Sequence, residues 1–340
     1  MQTALVSSIF IRVAGSPQIG FGHVRRCWTL ASCLQSGSLR IQFIAANPEA
    51  CNILQQAGFP TSQEPTPQSV EKTIALLQET SLPSVCVVDD PQAQFDQLSF
   101  LSRHASVLCI DDTCQRFFPV QIVTNGSAGA KELPYRGAPE TRYLLGPEYI
   151  LLRPEFSQSP QRTEPPEEIR TILLMGGGGE SWALLSHLLE AIFQVLPEVT
   201  VDVVTGPFGT SPKLDPSWRH RVRVHQNPNE IRSLMLRADL AISGGGQTTY
   251  ELAATATPTL GIQMAENQQI NLAGLEAAGA LQNVGSPESG SFLSRFAQVL
   301  QGLSRDSQKR RQMGIQGRRL VDGRGAERVA QQLQELAFHE

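Results

Sequence analysis

The chain has 340 residues, 41% of them hydrophobic and 18% charged, with a formal net charge of −4. That length suits two domains of about 150 residues each, and the composition is that of a globular chain, not a disordered one. The small negative charge excludes a general nucleic-acid or anionic-membrane partner, and no apolar run reaches the ~18 residues of a membrane span.

Residues 9–13 are an apolar run with the pattern of a strand. Gly20 and Gly22 follow, then His23 and a helical pattern with apolar residues at Val24, Cys27, Ala31 and Leu34. A strand, a glycine turn and a helix start make a place where backbone N–H groups point outward and negative charge is welcome. An imidazole at that place is positioned for catalysis, although the residues alone leave open whether His23 does chemistry or simply begins the helix. A dinucleotide fingerprint is excluded. Arg25 holds its third glycine position, and only Asn47 and Glu49 stand where a ribose-binding acid belongs.

Residues 41–45 form the next expected strand. Asn47 caps a helix through Gln56 that Gly58 ends, and the polar residues 59–68 are expected as loop. A helix over 70–78, a strand over 85–88, a helix over 95–103 and a strand over 107–110 complete the alternation. Such alternation means a parallel sheet with helices on both faces, and ligands of such sheets gather at the carboxyl ends of the strands. The glycine–histidine turn and the pairs Asp89-Asp90 and Asp111-Asp112 stand at such ends and are expected to face one crevice. Adjacent residues on a strand end point to opposite faces, so each pair offers one carboxylate. Metal binding or acid/base work competes there with helix capping, the commoner use of Asp after a strand.

The six cysteines, at positions 27, 33, 51, 86, 109 and 114, contain no C-x-x-C pair. Several lie inside apolar runs, which indicates buried thiols in a reducing compartment and no metal centre. The N-terminus shows no basic segment followed by a long apolar core, so the expectation is a soluble, cytoplasmic protein.

Residues 143–156 are densely apolar and contain Arg153. The Pro-rich segment 157–168 follows, giving an expected first domain at 1–156, a linker at 157–168 and a second domain at 169–340. The alternation then restarts: a strand over 172–175, a glycine run over 176–179, a helix over 182–195, and strands over 201–204 and 222–224. Asn229 caps a helix over 230–237, and strands at 240–242 and 259–262, a helix at 267–278 and a helical tail from Ser291 follow. Gly244, Gly245 and Gly246 end a buried strand and open a helix through Gln247, Thr248 and Thr249. Glycine backbone, hydroxyls and a helix start together form a diphosphate cradle, and the nearby Glu251 can accept ribose hydroxyls. The alternative is that the glycines only permit tight strand–helix packing.

Three blocks carry a more specific resemblance. They are G-F-G-H-V-R-R-C-W-T-L-A near the start, L-L-G-P-E-Y-I-L-L-R-P-E-F at the centre, and G-G-G-Q-T-T-Y-E-L-A followed by Glu266, Asn267 and Gln268. In this order, from about Phe10 to Ala280, they resemble the UDP-2,4-diacetamido-2,4,6-trideoxy-β-L-altropyranose hydrolases of pseudaminic acid biosynthesis, relatives of the GT-B glycosyltransferases. The resemblance implies an α/β, GT-B-like fold of two Rossmann-like domains with parallel sheets and an interdomain cleft. It implies hydrolysis of the anomeric C–O bond of a UDP-diacetamido-trideoxyhexose, with no cofactor and no metal.

By the same resemblance His23 is the base, Gly20 and Gly22 frame the anomeric site, and Arg153, Gly176 and Gly177 line the cleft. Gly246, Gln247 and Thr248 hold the diphosphate, Glu251 the ribose, and Asn267 and Gln268 close over the ligand. The chain departs from the family pattern at Ala14, Asp90 and Gly179, where the sugar is expected. Two alternatives stand beside hydrolysis: a GT-B glycosyltransferase acting on an acceptor hydroxyl, and an inactive UDP-sugar binding protein. The expected partner is therefore a UDP-sugar, with no nucleic acid and no stable membrane insertion.

Overall fold

The structure is a computed structural model, and it describes residues 8–16, 20–34, 39–80, 84–160, 167–175, 182–206 and 214–338. The chain divides into two compact units, residues 1–154 with 324–340, and residues 155–323.

The first unit opens with β1 (Ser8–Val13), α1 (Gly22–Leu34), β2 (Arg40–Ala45), α2 (Pro48–Gln56), β3 (Thr61–Gln63) and α3 (Glu71–Gln78). It continues with β4 (Ser84–Asp89), α4 (Phe95–Leu101), β5 (Ser106–Ile110), β6 (Phe117–Phe118), β7 (Ile122–Asn125), β8 (Arg136–Gly137) and β9 (Arg142–Leu145). Seven strands form one parallel sheet in the order β3-β2-β1-β4-β5-β7-β9, and β6 pairs with β8 apart from it. The strand order reverses between β1 and β4, which makes their carboxyl ends the switch point of a doubly wound sheet.

Both faces of the sheet's centre are covered, so β1, β4 and β5 are buried along their whole length. Along β1, Ile9, Ile11 and Val13 enter one core cluster and Phe10 the cluster on the other face. β4 alternates likewise, Val85 and Val87 against Cys86 and Val88. The period of two carries past the strand end and sends Asp89 and Asp90 to opposite faces. On the first face α1 buries Val24, Cys27, Leu30, Ala31 and Leu34, a helical stripe.

The second unit contains β10 (Thr171–Met175), α5 (Trp182–Val195), β11 (Thr200–Thr205), β12 (Val222–Gln226), α6 (Ile231–Arg237) and β13 (Leu240–Gly244). Then come α7 (Thr248–Ala254), β14 (Thr259–Ile262), α8 (Gln269–Ala277), β15 (Gln282–Asn283), α9 (Phe292–Arg305) and α10 (Ser307–Leu320). Its six parallel strands run β12-β11-β10-β13-β14-β15, again with a switch point, here between β10 and β13. Ile172, Leu174, Val201, Val203, Leu240 and Ile242 form the strand side of its core.

The last helix, α11 (Gly325–Phe338), corrects the expected division at 169–340. Val329, Ala330, Leu333 and Ala337 join the core cluster that α1 packs into, so the chain ends in the first unit. Val329 and Leu333 are fully buried, each contributing about 2 kcal/mol from apolar burial. The expected linker is also tied down where it begins: Phe156 is fully buried, and Arg318 donates to the carbonyls of Phe156 and Ser157 at 3.1 and 3.2 Å. Residues 161–166 lie outside the described residues.

Smaller differences have local causes. The expected loop 59–68 contains β3, a three-residue polar strand on the sheet edge, too short to show a period. Asn47 stands at the N-cap of α2, but its side chain makes no capping bond and accepts the Gly15 N–H at 3.1 Å instead. Glu230, not Asn229, precedes α6.

Candidate active site

The segment after β1 is shaped by close approach. A Cβ on Gly15 would come within 2.5 Å of Val24 Cγ2, so glycine there lets α1 press onto the strand end. Gly20 has φ +88°, a left-handed conformation suited to glycine, and its N–H donates to the Ser16 carbonyl at 2.7 Å. Gly22 differs: it opens α1, and a Cβ there would meet nothing within 4 Å. Nothing in the described fold requires a glycine at position 22.

His23 follows in the first turn of α1, its side chain 16% exposed. Its Nδ1 lies 2.8 Å from Asp89 Oδ1 at the end of β4. Arg26, one turn along the same helix face, donates from Nε to Asp89 Oδ2 and from Nη2 to Asp89 Oδ1, both at 2.6 Å. Its Nη1 reaches Asp112 Oδ1 at 2.8 Å, beyond the end of β5. Arg26 Nη2 is also 3.0 Å from His23 Nδ1. A guanidinium has no acceptor, so of these two neighbours only Asp89 can take a proton held on Nδ1.

Burial opposes ionisation of Asp89, but Arg26 and His23 outweigh it through charge and hydrogen bonds, holding the carboxyl well below the usual carboxylate range. Burial likewise opposes the Arg26 charge, and Asp112 and Asp89 outweigh it. Burial and the Asp89 charge push the Cys27 thiol up, and it donates to Asp89 Oδ2 at 3.4 Å as a protonated group. An ionised carboxylate fixing Nδ1 as donor leaves Nε2 as the imidazole's lone-pair nitrogen, the arrangement of an oriented general base.

Of the four strand-end carboxylates, Asp89 and Asp112 therefore converge on Arg26, and the other two turn away. Asp90 pairs with the buried Arg12 and accepts the Gln92 N–H at 2.9 Å. Asp111 accepts from the backbones of Thr113 and Cys114 and from Tyr135 Oη. Helix capping, the expected commoner use, is found at none of the four, although Asp111 caps a turn. Among the described residues no group of His, Cys, Asp and Glu is arranged to hold a metal, and all six cysteines are free thiols.

In the second unit the loop after β13 gathers most of the expected nucleotide residues. Gly245 is constrained by packing, since a Cβ would lie 2.6 Å from Leu272 Cγ. Its N–H donates to the Gln268 side-chain oxygen at 3.0 Å and its carbonyl accepts from Asn271 Nδ2 at 2.6 Å. Gln268 Oε1 also accepts the Met264 N–H at 3.0 Å, so only its amide nitrogen is left to face a ligand. Around Gly246 there is room, the nearest atom to an added Cβ being Gln268 Nε2 at 3.9 Å. Gly246, Gln247, Thr248 and Glu251 are all partly exposed around the start of α7, and Thr249 turns inward to the Gly246 carbonyl.

Asn267 is exposed in the turn before α8. Arg153 is partly exposed near the end of the first unit. Gly176, Gly177 and Gly179 lie outside the described residues. Arg26 and its pairing with Asp112 were not anticipated, although Asp112 was expected in the same crevice as His23. The three-residue spacing of His23 and Arg26 on a helix was the available signal for the first of them.

No protein-family profile matches the chain. The chain is 26% identical over 205 residues to the spore coat polysaccharide biosynthesis protein SpsG of Bacillus subtilis (strain 168), covering 58% of this chain and 59% of that protein. It is 30% identical over 179 residues to the Helicobacter pylori pseudaminic acid cytidylyltransferase and UDP-2,4-diacetamido-2,4,6-trideoxy-beta-L-altropyranose hydrolase. That match covers 51% of this chain and 32% of that protein, so the chain spans less than two thirds of the length of either relative. The resemblance read from the three blocks is in line with the similarity to the Helicobacter relative over about half of this chain.

Among solved structures, MurG of Acinetobacter baumannii superposes with a TM-score of 0.64 at 14% identity, covering 97% of this chain and 99% of that one. A glycosyltransferase from Rickettsia africae ESF-5 gives 0.64 at 11% identity, covering 98% and 100%. LpCGTa in complex with UDP gives 0.63 at 12% identity, covering 96% and 99%. At such identities the likeness shows the fold, which is GT-B-like: two Rossmann-like α/β units with parallel sheets. No helix among the described residues is long and apolar enough to cross a membrane.

Proposed function

We propose that the protein hydrolyses a UDP-sugar, with His23 as general base and water as nucleophile at the anomeric carbon. The observation that carries this reading is the His23–Asp89 pair at the start of α1, beside a glycine that nothing in the described fold demands. His23 Nε2 takes a proton from water as the water oxygen bonds to the anomeric carbon. The bond from that carbon to the diphosphate oxygen breaks, and UDP leaves with the electron pair. Asp89 holds the imidazole in the tautomer that frees Nε2 and stabilises the imidazolium once formed. Such a base contributes about 10²–10⁴ in rate.

The second unit is assigned the nucleotide. Gly246 and Thr248 have no hydrogen-bond acceptor for their N–H groups among the described residues, and Gln247 and Glu251 stand beside them. Diphosphate on the N–H groups and ribose on Glu251 follow from that grouping, and the UDP named in one structural neighbour supports it. The sugar is assigned as a diacetamido-trideoxyhexose on the name of the Helicobacter relative, whose product would feed nonulosonic acid synthesis.

Transfer of the sugar to an acceptor hydroxyl is the second reading, favoured by the naming of a structural neighbour as a glycosyltransferase. The deciding assay incubates the purified protein with a panel of nucleotide sugars, with and without acceptors, and measures released UDP. Hydrolysis predicts release without acceptor. Release only on adding an acceptor selects transfer, and no release under either condition contradicts both.

A further inference from the structure

One face of α1 grips both oxygens of a single carboxylate. Asp89 Oδ1 faces His23 Nδ1 at 2.8 Å and accepts from Arg26 Nη2 at 2.6 Å. Asp89 Oδ2 accepts from Arg26 Nε at 2.6 Å and from Cys27 Sγ at 3.4 Å. The two Arg26 bonds form a fork, which fixes the plane of a carboxylate as well as its position. The Asp89 side chain is 1% exposed and that of Arg26 14%, so water competes little for either. Asp89 cannot swing Oδ1 away from the imidazole without breaking the fork.

A cation beside a nucleotide-sugar site is ordinarily a ligand of the diphosphate, and the geometry weighs against that role for Arg26. Every nitrogen of its guanidinium already meets a carboxylate: Nε and Nη2 meet Asp89, and Nη1 meets Asp112 at 2.8 Å. A diphosphate would have to strip Arg26 from Asp112, whose side chain is 41% exposed.

Charge points the same way. Among the described residues the imidazole is faced by Asp89 at the end of β4, by Arg26 and Cys27 on α1, and through Arg26 by Asp112 beyond the end of β5. Cys27 is a protonated thiol, so it adds no charge. Asp90 is taken up by Arg12, and Asp111 by Tyr135 and Arg116. Two carboxylates and one guanidinium leave a surplus of one negative charge, which the imidazolium formed by proton transfer neutralises. Without Arg26 the two carboxylates would favour the imidazolium before any transfer, and an imidazolium has no lone pair to offer water.

We propose that Arg26 is a positioning residue for the His23 base: its fork locks Asp89 against Nδ1, and its charge cancels one of two carboxylates, with Asp112 holding the guanidinium from the far side. The use of His23 as a base rests on the hydrolase reading; the coupling of its titration to Arg26 and Asp112 rests on the geometry alone.

The test titrates the His23 imidazole of the full-length protein by nitrogen-15 NMR, its signals identified by their loss in His23→Asn, and measures kcat, KM and UDP affinity beside it. Asp112→Asn removes a negative charge and is expected to move the titration midpoint down from the wild type by about half a pH unit. Arg26→Gln removes the positive charge and is expected to move it up by about one unit. Arg26→Lys keeps the charge and loses the fork. It is expected to leave the midpoint in place and to lower kcat about tenfold or more, with KM and UDP affinity retained. Midpoints that move in the same direction in Asp112→Asn and Arg26→Gln, or in neither, overturn the proposal. Should Arg26→Gln fail to fold, the exposed Asp112→Asn decides alone: a midpoint that stays or rises overturns it. Weaker UDP binding with kcat unchanged in Arg26→Lys makes Arg26 a diphosphate ligand and overturns the positioning role. Opposed shifts in a protein that turns over no UDP-sugar overturn the hydrolase reading and leave the coupling standing. Turnover with unmoved midpoints does the reverse.

Discussion

Asp89 Oδ1 lies 2.8 Å from His23 Nδ1 although 66 residues separate them in the chain. The sheet creates the proximity: Val13 at the end of β1 is the register partner of Asp89 at the end of β4, and the first turn of α1 presses its Val24 onto Gly15 beyond that strand end. Asp89 is a positioning residue, acting through the imidazole. Asp89→Asn is expected to lower kcat about 100-fold or more while KM changes little, the signature of an interaction used in the transition state. A rise in KM with kcat unchanged would place Asp89 in ligand binding instead.

The same carboxylate links stability to pH. Its pKa is depressed in the folded state, so its contribution is complete above the unfolded value of about 3.9 and is lost as pH falls toward the folded value. The stability difference between wild type and Asp89→Asn, measured by urea unfolding, is expected to be constant from about pH 5 to about pH 8 and to shrink below about pH 4. Without Asp89, Arg26 keeps Asp112 as an ion-pair partner, so the constant difference should lie below the about 3–5 kcal/mol of a buried charge left wholly unpaired. A difference that already narrows between about pH 7 and pH 5 would mean that another group dominates.

Glycines separate structural from functional constraint. Gly22→Ala places a Cβ in open space at a helix start and should leave stability unchanged or raise it by up to about 1 kcal/mol, yet reduce turnover. Gly245→Ala drives a Cβ to 2.6 Å from Leu272 Cγ and should destabilise by about 1–3 kcal/mol. Thermal unfolding and activity of the two variants check this. A fully active Gly22→Ala would mean that no ligand approaches that face of α1.

Much of this arrangement was legible in the sequence because the strands are apolar runs bounded by punctuating residues. The alternation of strand and helix was enough to anticipate parallel sheets, and parity was enough to anticipate that each Asp pair splits. Parity does not say which member meets which partner. Asp89 faces His23 because Val85 and Val87 face α1, and that requires knowing which side of β4 the helix covers. β6, β7, β8 and β9 are two to four residues long, below the length at which a period shows. The return of α11 to the first unit was illegible for another reason: an amphipathic helix records that it has a partner, not which one.

UDP is expected to raise the melting temperature more than ADP or GDP, through linkage to the folded state. Glu251→Ala should weaken UDP more than it weakens pyrophosphate, since a ribose contact is what it removes. Calorimetric titration of both ligands decides; equal losses would limit Glu251 to a supporting role in α7.

The central claim is that water, activated by His23, attacks the anomeric carbon. Turnover of a UDP-diacetamido-trideoxyhexose in oxygen-18 water, with mass analysis of both products, tests it most directly. The account predicts label in the anomeric hydroxyl of the freed sugar, none in UDP, and turnover reduced about 10²–10⁴-fold in His23→Asn with UDP affinity retained. Label in UDP would mean attack at phosphorus and would contradict the assignment of His23.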